Sequence, residues 1–204
     1  METKLAKVIS YLFHPLLIPT YTITLFFILD VYFVTRIPVN VRIALSSIVF
    51  LSTFIMPIIL ILGLKRVGII KDIHMHNRNE RRIPLLAMII FYSFTFYLLN
   101  NMQWTRQFNL FALGGCLLTI IALIVNSYWK ISLHMIGNGA MFGLFLGLSF
   151  VGVPISFFYL SFLTVILGMV GFARLKLNAH NQAQIYSGLI TGASVMITLI
   201  YFLA

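Results

Sequence analysis

Acidic side chains are the scarcest chemistry in this sequence. Its 204 residues carry four of them: Glu2, Asp30, Asp72 and Glu80. Hydrolysis by paired carboxylates and divalent metals held by carboxylates therefore have almost nothing to work with. A metal-dependent prenyltransferase, which needs aspartate-rich magnesium sites, fails on the same ground. The single cysteine, Cys116, lies inside an apolar run, so neither a disulfide nor a cysteine-based metal site is available. Charge of any sign is sparse, 9% of residues against about 25% in a soluble domain. A cleavable leader is also not expected. The first apolar run carries His14 and two prolines, with no small-residue cleavage site ahead of a long span.

What is present is apolar. Hydrophobic residues make up 61% of the chain and the mean hydropathy is +1.03. A membrane-crossing helix needs about 20 apolar residues, and seven runs qualify, near 8–34, 43–64, 84–100, 108–128, 132–150, 153–172 and 183–203. They are too long and too unalternating for the strands of a membrane barrel. The expected fold class is all-α: a polytopic transmembrane helical bundle of six to seven spans, one integral-membrane domain over residues 1–204. Pro15 and Pro19 predict either a kink in the first run or an interfacial turn followed by a span. Pro57 predicts a kink in the second. Pro84 suits the first turn of the third, and residues 151–154 read as a tight turn. Gly139, Gly143 and Gly147, like Gly188 and Gly192, recur every four positions, a spacing that lets membrane helices approach closely.

The net charge of +10 comes from basic residues in short loops. Nucleic acid is therefore not an expected partner; these residues act as topology signals and anion ligands. With seven crossings, 11 of the 14 Lys and Arg fall on the side of the N-terminus and 3 on the other. The positive-inside rule makes the richer side cytoplasmic; setting aside Lys71, Arg78, Arg81, Arg82 and Arg174 as anion ligands leaves 6 against 3, and the outer face stays open as the alternative. His74, His76, His134 and His180 share that side, and His14 lies in the nearer half of the first run.

Three polar stretches meet there. Residues 71–84 hold Lys71, Arg78, Arg81 and Arg82 just ahead of a helix, where guanidinium forks and helix N–H groups can cradle a phosphate. Taken alone, a solvated basic loop explains them equally well. His74 and His76 are a weak metal pair with only Asp72 nearby. Ser132 can cap the next such helix, with His134 two residues on and Asn138 as its possible partner, while Trp129 and Lys130 read as interfacial anchors. The last stretch, 173–184, sets Arg174 before His180. Gln184 lies one turn after that histidine, so the two share a helix face. Two histidines with arginines and no metal suit phosphoryl transfer through a phosphohistidine.

Order and spacing here resemble the type-2 phosphatidic acid phosphatase superfamily, whose members act on lipid phosphates. Its third motif is Ser-Arg, five residues, His, three residues, Asp; this chain has Ala173-Arg174, five residues, His180, three residues, Gln184. Its second, Pro-Ser-Gly-His, is matched by Ile131-Ser132-Leu133-His134. Its first, Lys, six residues, Arg-Pro, is matched by Lys71 and Arg78, followed by Asn79. The likeness spans about residues 71–184, within a motif-bearing core of about 71–203. It implies a metal-independent and cofactor-free phosphatase or phosphotransferase. His180 would be nucleophile and His134 general acid, with Arg174, Ser132, Lys71, Arg78 and Arg82 on the phosphate. Gln184 would orient His180 in place of a carboxylate. The implied partners are the bilayer and a lipid phosphate, in a bacterial inner membrane. The departures at Leu133, Ala173 and Gln184 keep a second expectation open, a catalytically weak relative that binds or transports such a lipid.

Overall fold

The computed structural model describes residues 2–29, 34–71, 78–102, 104 and 106–203. Its helices are α1 (Glu2–Leu12), α2 (Ile18–Ile28), α3 (Val39–Arg66), α4 (Arg82–Met102), α5 (Arg106–Tyr128), α6 (Leu133–Phe150), α7 (Phe157–Lys176) and α8 (Gln182–Leu203). Among the described residues, the six from α3 to α8 are long and apolar enough to cross a membrane. The chain is an integral multi-pass helical bundle.

The first apolar run departs from a single span. It breaks at residues 13–17, and Pro19 sits in the first turn of α2. Eleven residues of α2 make about 16 Å, roughly half a bilayer core. The short helix nonetheless carries the chain inward. Its start lies beside Gly137, early in α6, and its Phe26 packs on Phe108 and Phe145 with ring centroids 5.6 and 5.4 Å away. α1 is a separate amphipathic helix. It buries Ala6, Ile9 and Ser10 toward the bundle and leaves Leu5, Val8 and Leu12 exposed. It packs against α7, and Glu2 pairs with Lys176 at that helix's C-terminal end. Hydrogen bonding to the Lys176 ammonium holds the Glu2 carboxyl below its ordinary pKa. The N-terminus therefore lies at the same end of the bundle as the end of α7.

Pro57 follows a local defect in α3. A π-helical turn, Leu51–Ile55, precedes it, absorbing the missing proline N–H. Thr95 Oγ1 on α4 donates to Ser52 Oγ in that turn at 2.7 Å, tying the two helices at the irregularity. The expected turn after α6 forms with Gly152 at φ 84°, where a Cβ is disfavoured.

The most extensive contact in the molecule joins α6 and α8. The two run parallel, both starting at the end where α7 finishes. Their glycine rows interlock. A Cβ on Gly139 would stand 2.6 Å from the Leu189 carbonyl oxygen, one on Gly188 2.8 Å from that of Ser132, and ones on Gly143 and Gly192 would collide with the Ala193 and Ile136 carbonyls. Backbone meets backbone without side chains between, which fixes the register of the two helix starts.

Candidate functional site

The polar stretch between α7 and α8 is shaped by two adjoining caps. α7 ends in a Schellman turn: Ala179 N–H donates to the Arg174 carbonyl at 3.1 Å and Asn178 N–H to that of Leu175 at 2.9 Å, with Asn178 left-handed at φ 48°. α8 then opens with a capping box. Gln184 N–H donates to Asn181 Oδ1 at 2.9 Å, and Asn181 N–H donates back to Gln184 Oε1 at 3.3 Å. These turns return the chain within a few residues and bring Arg174 and His180 to one cavity.

Gln184 does a second task. Its Oε1 also lies 2.8 Å from His180 Nδ1. An amide oxygen only accepts, so Nδ1 carries the proton and Nε2 presents its lone pair. His134, in the first turn of α6, has the opposite tautomer. Its Nε2 is 3.1 Å from the Ser10 carbonyl oxygen, so Nε2 holds the proton and Nδ1 is the exchangeable position. Asn138 is not a partner of that ring. It donates instead to the His134 carbonyl at 2.8 Å and to the Phe13 carbonyl at 3.3 Å, latching the α1–α2 turn onto α6. The starts of α6 and α8 are joined directly, Ser132 N–H donating to the Gln184 carbonyl at 3.3 Å.

Both histidines line a cavity of about 750 Å³ that also takes in His14, Lys7, Arg81, Lys130 and Arg174. Among the described residues, no Asp or Glu lines it. Below this polar end the wall is apolar, formed by Leu85, Phe111, Leu118, Leu144 and Met196 among others. From His134 to Leu144 along α6 is about 15 Å, so the cavity reaches well into the membrane layer. A basic end and an apolar depth thus share one cavity.

The charges are held close and partly dry. Arg174 Nε is buried with no hydrogen-bond partner. Burial, then repulsion from Arg81 and Arg174, lowers the Lys130 pKa, and its ammonium donates to the Ala179 carbonyl at 3.2 Å. Burial pushes His180 down to about 3, against the pull of its Gln184 bond and with added repulsion from Arg81, Arg174 and Lys130. His180 is thus a neutral imidazole at ordinary pH, the form that can attack. Among the described residues no group of three His, Cys, Asp or Glu converges as a metal set.

The expected residues divide. His180, His134, Arg174 and Gln184 come together as the spacing predicts. Ser132 occupies the N-cap position of α6 but makes no side-chain cap bond; it is fully buried, its Oγ has no partner, and it is not part of the cavity lining. Lys71 and Arg82 are exposed and do not line the cavity. The side chain of Arg78 lies outside the described residues, as do Asp72, His74 and His76. Among the described side chains of this stretch, the guanidinium that reaches the cavity is that of Arg81, 8% exposed and donating to the Ile131 carbonyl at 3.4 Å. Helical register could have found it: Arg81, Pro84, Leu85, Met88 and Tyr92 form one stripe on the cavity wall, and Arg82 falls on another face. Lys130 belongs to the cavity, beyond its expected role as an anchor, and His14 and Lys7 were not expected there. No protein-family model, curated protein or solved structure matches this chain.

Proposed function

We propose that the protein is an integral-membrane phosphatase or phosphotransferase for a lipid phosphate, working through a phosphohistidine without metal. The observation that carries this reading is the cavity itself. Its polar end holds two histidines in complementary tautomers among several cationic side chains, and its depth is apolar.

The chemistry follows from those tautomers. The His180 Nε2 lone pair attacks phosphorus, and a P–N bond forms as the P–O bond to the lipid breaks. His134 Nδ1 takes up the acidic proton of the monoanionic phosphate and passes it to the departing oxygen, keeping its Nε2–H on the Ser10 carbonyl throughout. Gln184 holds the Nδ1–H of the phosphohistidine throughout. In the second half, His134 Nδ1 takes a proton from water as that water attacks phosphorus. The P–N bond then breaks, and inorganic phosphate leaves. Arg81, Arg174 and the starts of α6 and α8 offset charge on the phosphoryl oxygens. The membrane would be a bacterial inner membrane, with the site at its cytoplasmic face by the loop charges.

The test is phosphate release from lipid phosphates by purified protein. Release should persist in EDTA, vanish in His180→Ala and fall about 10²–10⁴-fold in His134→Ala. Loss of release on adding EDTA, or activity surviving in His180→Ala, would sink the mechanism. Gln184 supports a second reading, a lipid-phosphate binder or transporter. An amide orients the histidine but does little to stabilise its positive charge, and a comparable acid-to-amide change in a serine-protease triad costs about 10⁴ in rate. Binding without turnover would favour that reading.

A further inference from the structure

We propose that the apolar depth of the cavity is a blind pocket that measures its amphiphile, taking one alkyl chain of about twelve carbons. This deepens the reading above and rests on an amphiphile seated with its head at the polar end.

Three walls give the same depth. From Arg81 to Tyr92 at α4, from Ala122 to Phe111 on α5 and from His134 to Leu144 on α6, the lining runs about 15–17 Å. At the bottom the bundle is plugged by aromatic rings. Phe111 lines the cavity, and Phe26 stands behind it with centroids 6.5 Å apart and planes at 89°. Phe26 in turn packs on Phe108 and Phe145 at 5.6 and 5.4 Å. Phe26, Phe108 and Phe145 are buried and do not line the cavity. The mouth lies at the other end. Among the described lining residues the exposed ones are Lys7, Tyr11 and Leu62, with Leu62 one turn before the end of α3. In the depth, Tyr92, Leu118, Leu144 and Met196 are buried. The cavity therefore opens at its polar end and closes near mid-bundle.

That depth sets a length. A zigzag chain with C–C bonds of about 1.5 Å advances roughly 1.3 Å per carbon, so the pocket holds about twelve. It is also about half of a hydrocarbon core roughly 30 Å thick, the share that one leaflet's chain occupies. A volume of about 750 Å³ is that of a single small-ligand site, which suits one chain rather than several. Lipid tails are as apolar as the pocket wall, so fit rather than hydrophobicity decides which chain is taken. A longer chain must fold on the phenylalanine plug or trail out of the mouth, and a shorter one leaves wall uncovered.

The experiment is equilibrium binding of octyl phosphate, dodecyl phosphate and hexadecyl phosphate to the full-length protein, each at the same mole fraction in neutral detergent micelles. Partition into the micelle is common to wild type and variants, so differences between their chain profiles belong to the pocket. Wild type is expected to bind dodecyl phosphate best. Phe111→Ala removes the floor ring and should move the optimum to hexadecyl phosphate. Ala140 lines the cavity about 9 Å below His134 along α6. Ala140→Leu fills the pocket partway and should lower the dodecyl-to-octyl affinity ratio about tenfold or more. It leaves the aromatic plug intact, so the test stands even where Phe111→Ala loses the fold. A wild-type profile without an optimum at dodecyl phosphate overturns the proposal. So does a ratio unmoved in Ala140→Leu, or an optimum that stays at dodecyl phosphate in folded Phe111→Ala. A wild-type protein that does not prefer dodecyl phosphate over dodecyltrimethylammonium refutes the anionic-head reading itself, a result distinct from the chain profile.

Discussion

At the residue scale, Gln184 is the position where one atom serves two demands. Its Oε1 closes the capping box of α8 and orients His180. Gln184→Glu keeps the reach for both bonds and adds charge beside a histidine depressed to about 3. Its expected outcome is a higher His180 pKa, read by NMR titration, and higher phosphate release; a fall in release would place Gln184 in a different network. The depressed pKa also has a stability consequence. A histidine near 3 when folded and 6.5 when unfolded takes up protons on unfolding between those values. Its contribution to stability is therefore full above about 6.5 and lost as the pH falls toward 3. Melting temperature in detergent should drop across that window, with a shallower slope in His180→Gln. The neighbouring arginines make a sharper contrast. Arg81→Ala should weaken octyl phosphate binding roughly ten- to a hundredfold, as for a lost charged hydrogen bond, while Arg82→Ala, on the exposed face, should leave it within about twofold.

At the element scale, the six long helices were legible because a membrane imposes one rule on every span, and hydropathy reports it. The first run was not, because Pro15 and Pro19 break helical continuity without lowering its apolarity, so the windows join what the backbone separates. The site shows the same divide. Arg174, His180 and Gln184 were readable because they are close in sequence and set by local turns. His14 and the Ser10 carbonyl reach the cavity only through tertiary packing of α1 on α7, which no local spacing records. Arg81 lay between: the register was in the sequence, but motif spacing pointed past it. The α6–α8 contact offers a direct test. Gly143→Ala drives a methyl into the Ala193 carbonyl, a backbone group that no rotamer change can move. The expected outcome is a stability loss of about 1–3 kcal/mol together with lost ligand binding, as the two helix starts separate. Gly168→Ala, whose added methyl meets nothing within 4 Å, is the matched control and should behave as wild type.

At the scale of the whole molecule, the bundle sorts its chemistry by end. The Glu2–Lys176 pair, the α1–α2 turn, Arg81 and the stretches 129–134 and 173–184 all gather where α6 and α8 begin. The loop charges predict that this end faces the cytoplasm. A cysteine at exposed Lys71, in a Cys116→Ala background, should resist membrane-impermeant maleimide in intact cells and react after permeabilisation; labelling in intact cells would reverse the topology. The interlocked glycines also bear on how the protein meets bilayers of different thickness. Mismatch is absorbed by tilting or kinking helices; α3 carries a π turn and the chain breaks before α2. α6 and α8, clamped backbone to backbone, tilt as one body. The spacing between His134 and His180 is thereby insulated from the lipid around it, so activity should follow headgroup chemistry more closely than membrane thickness.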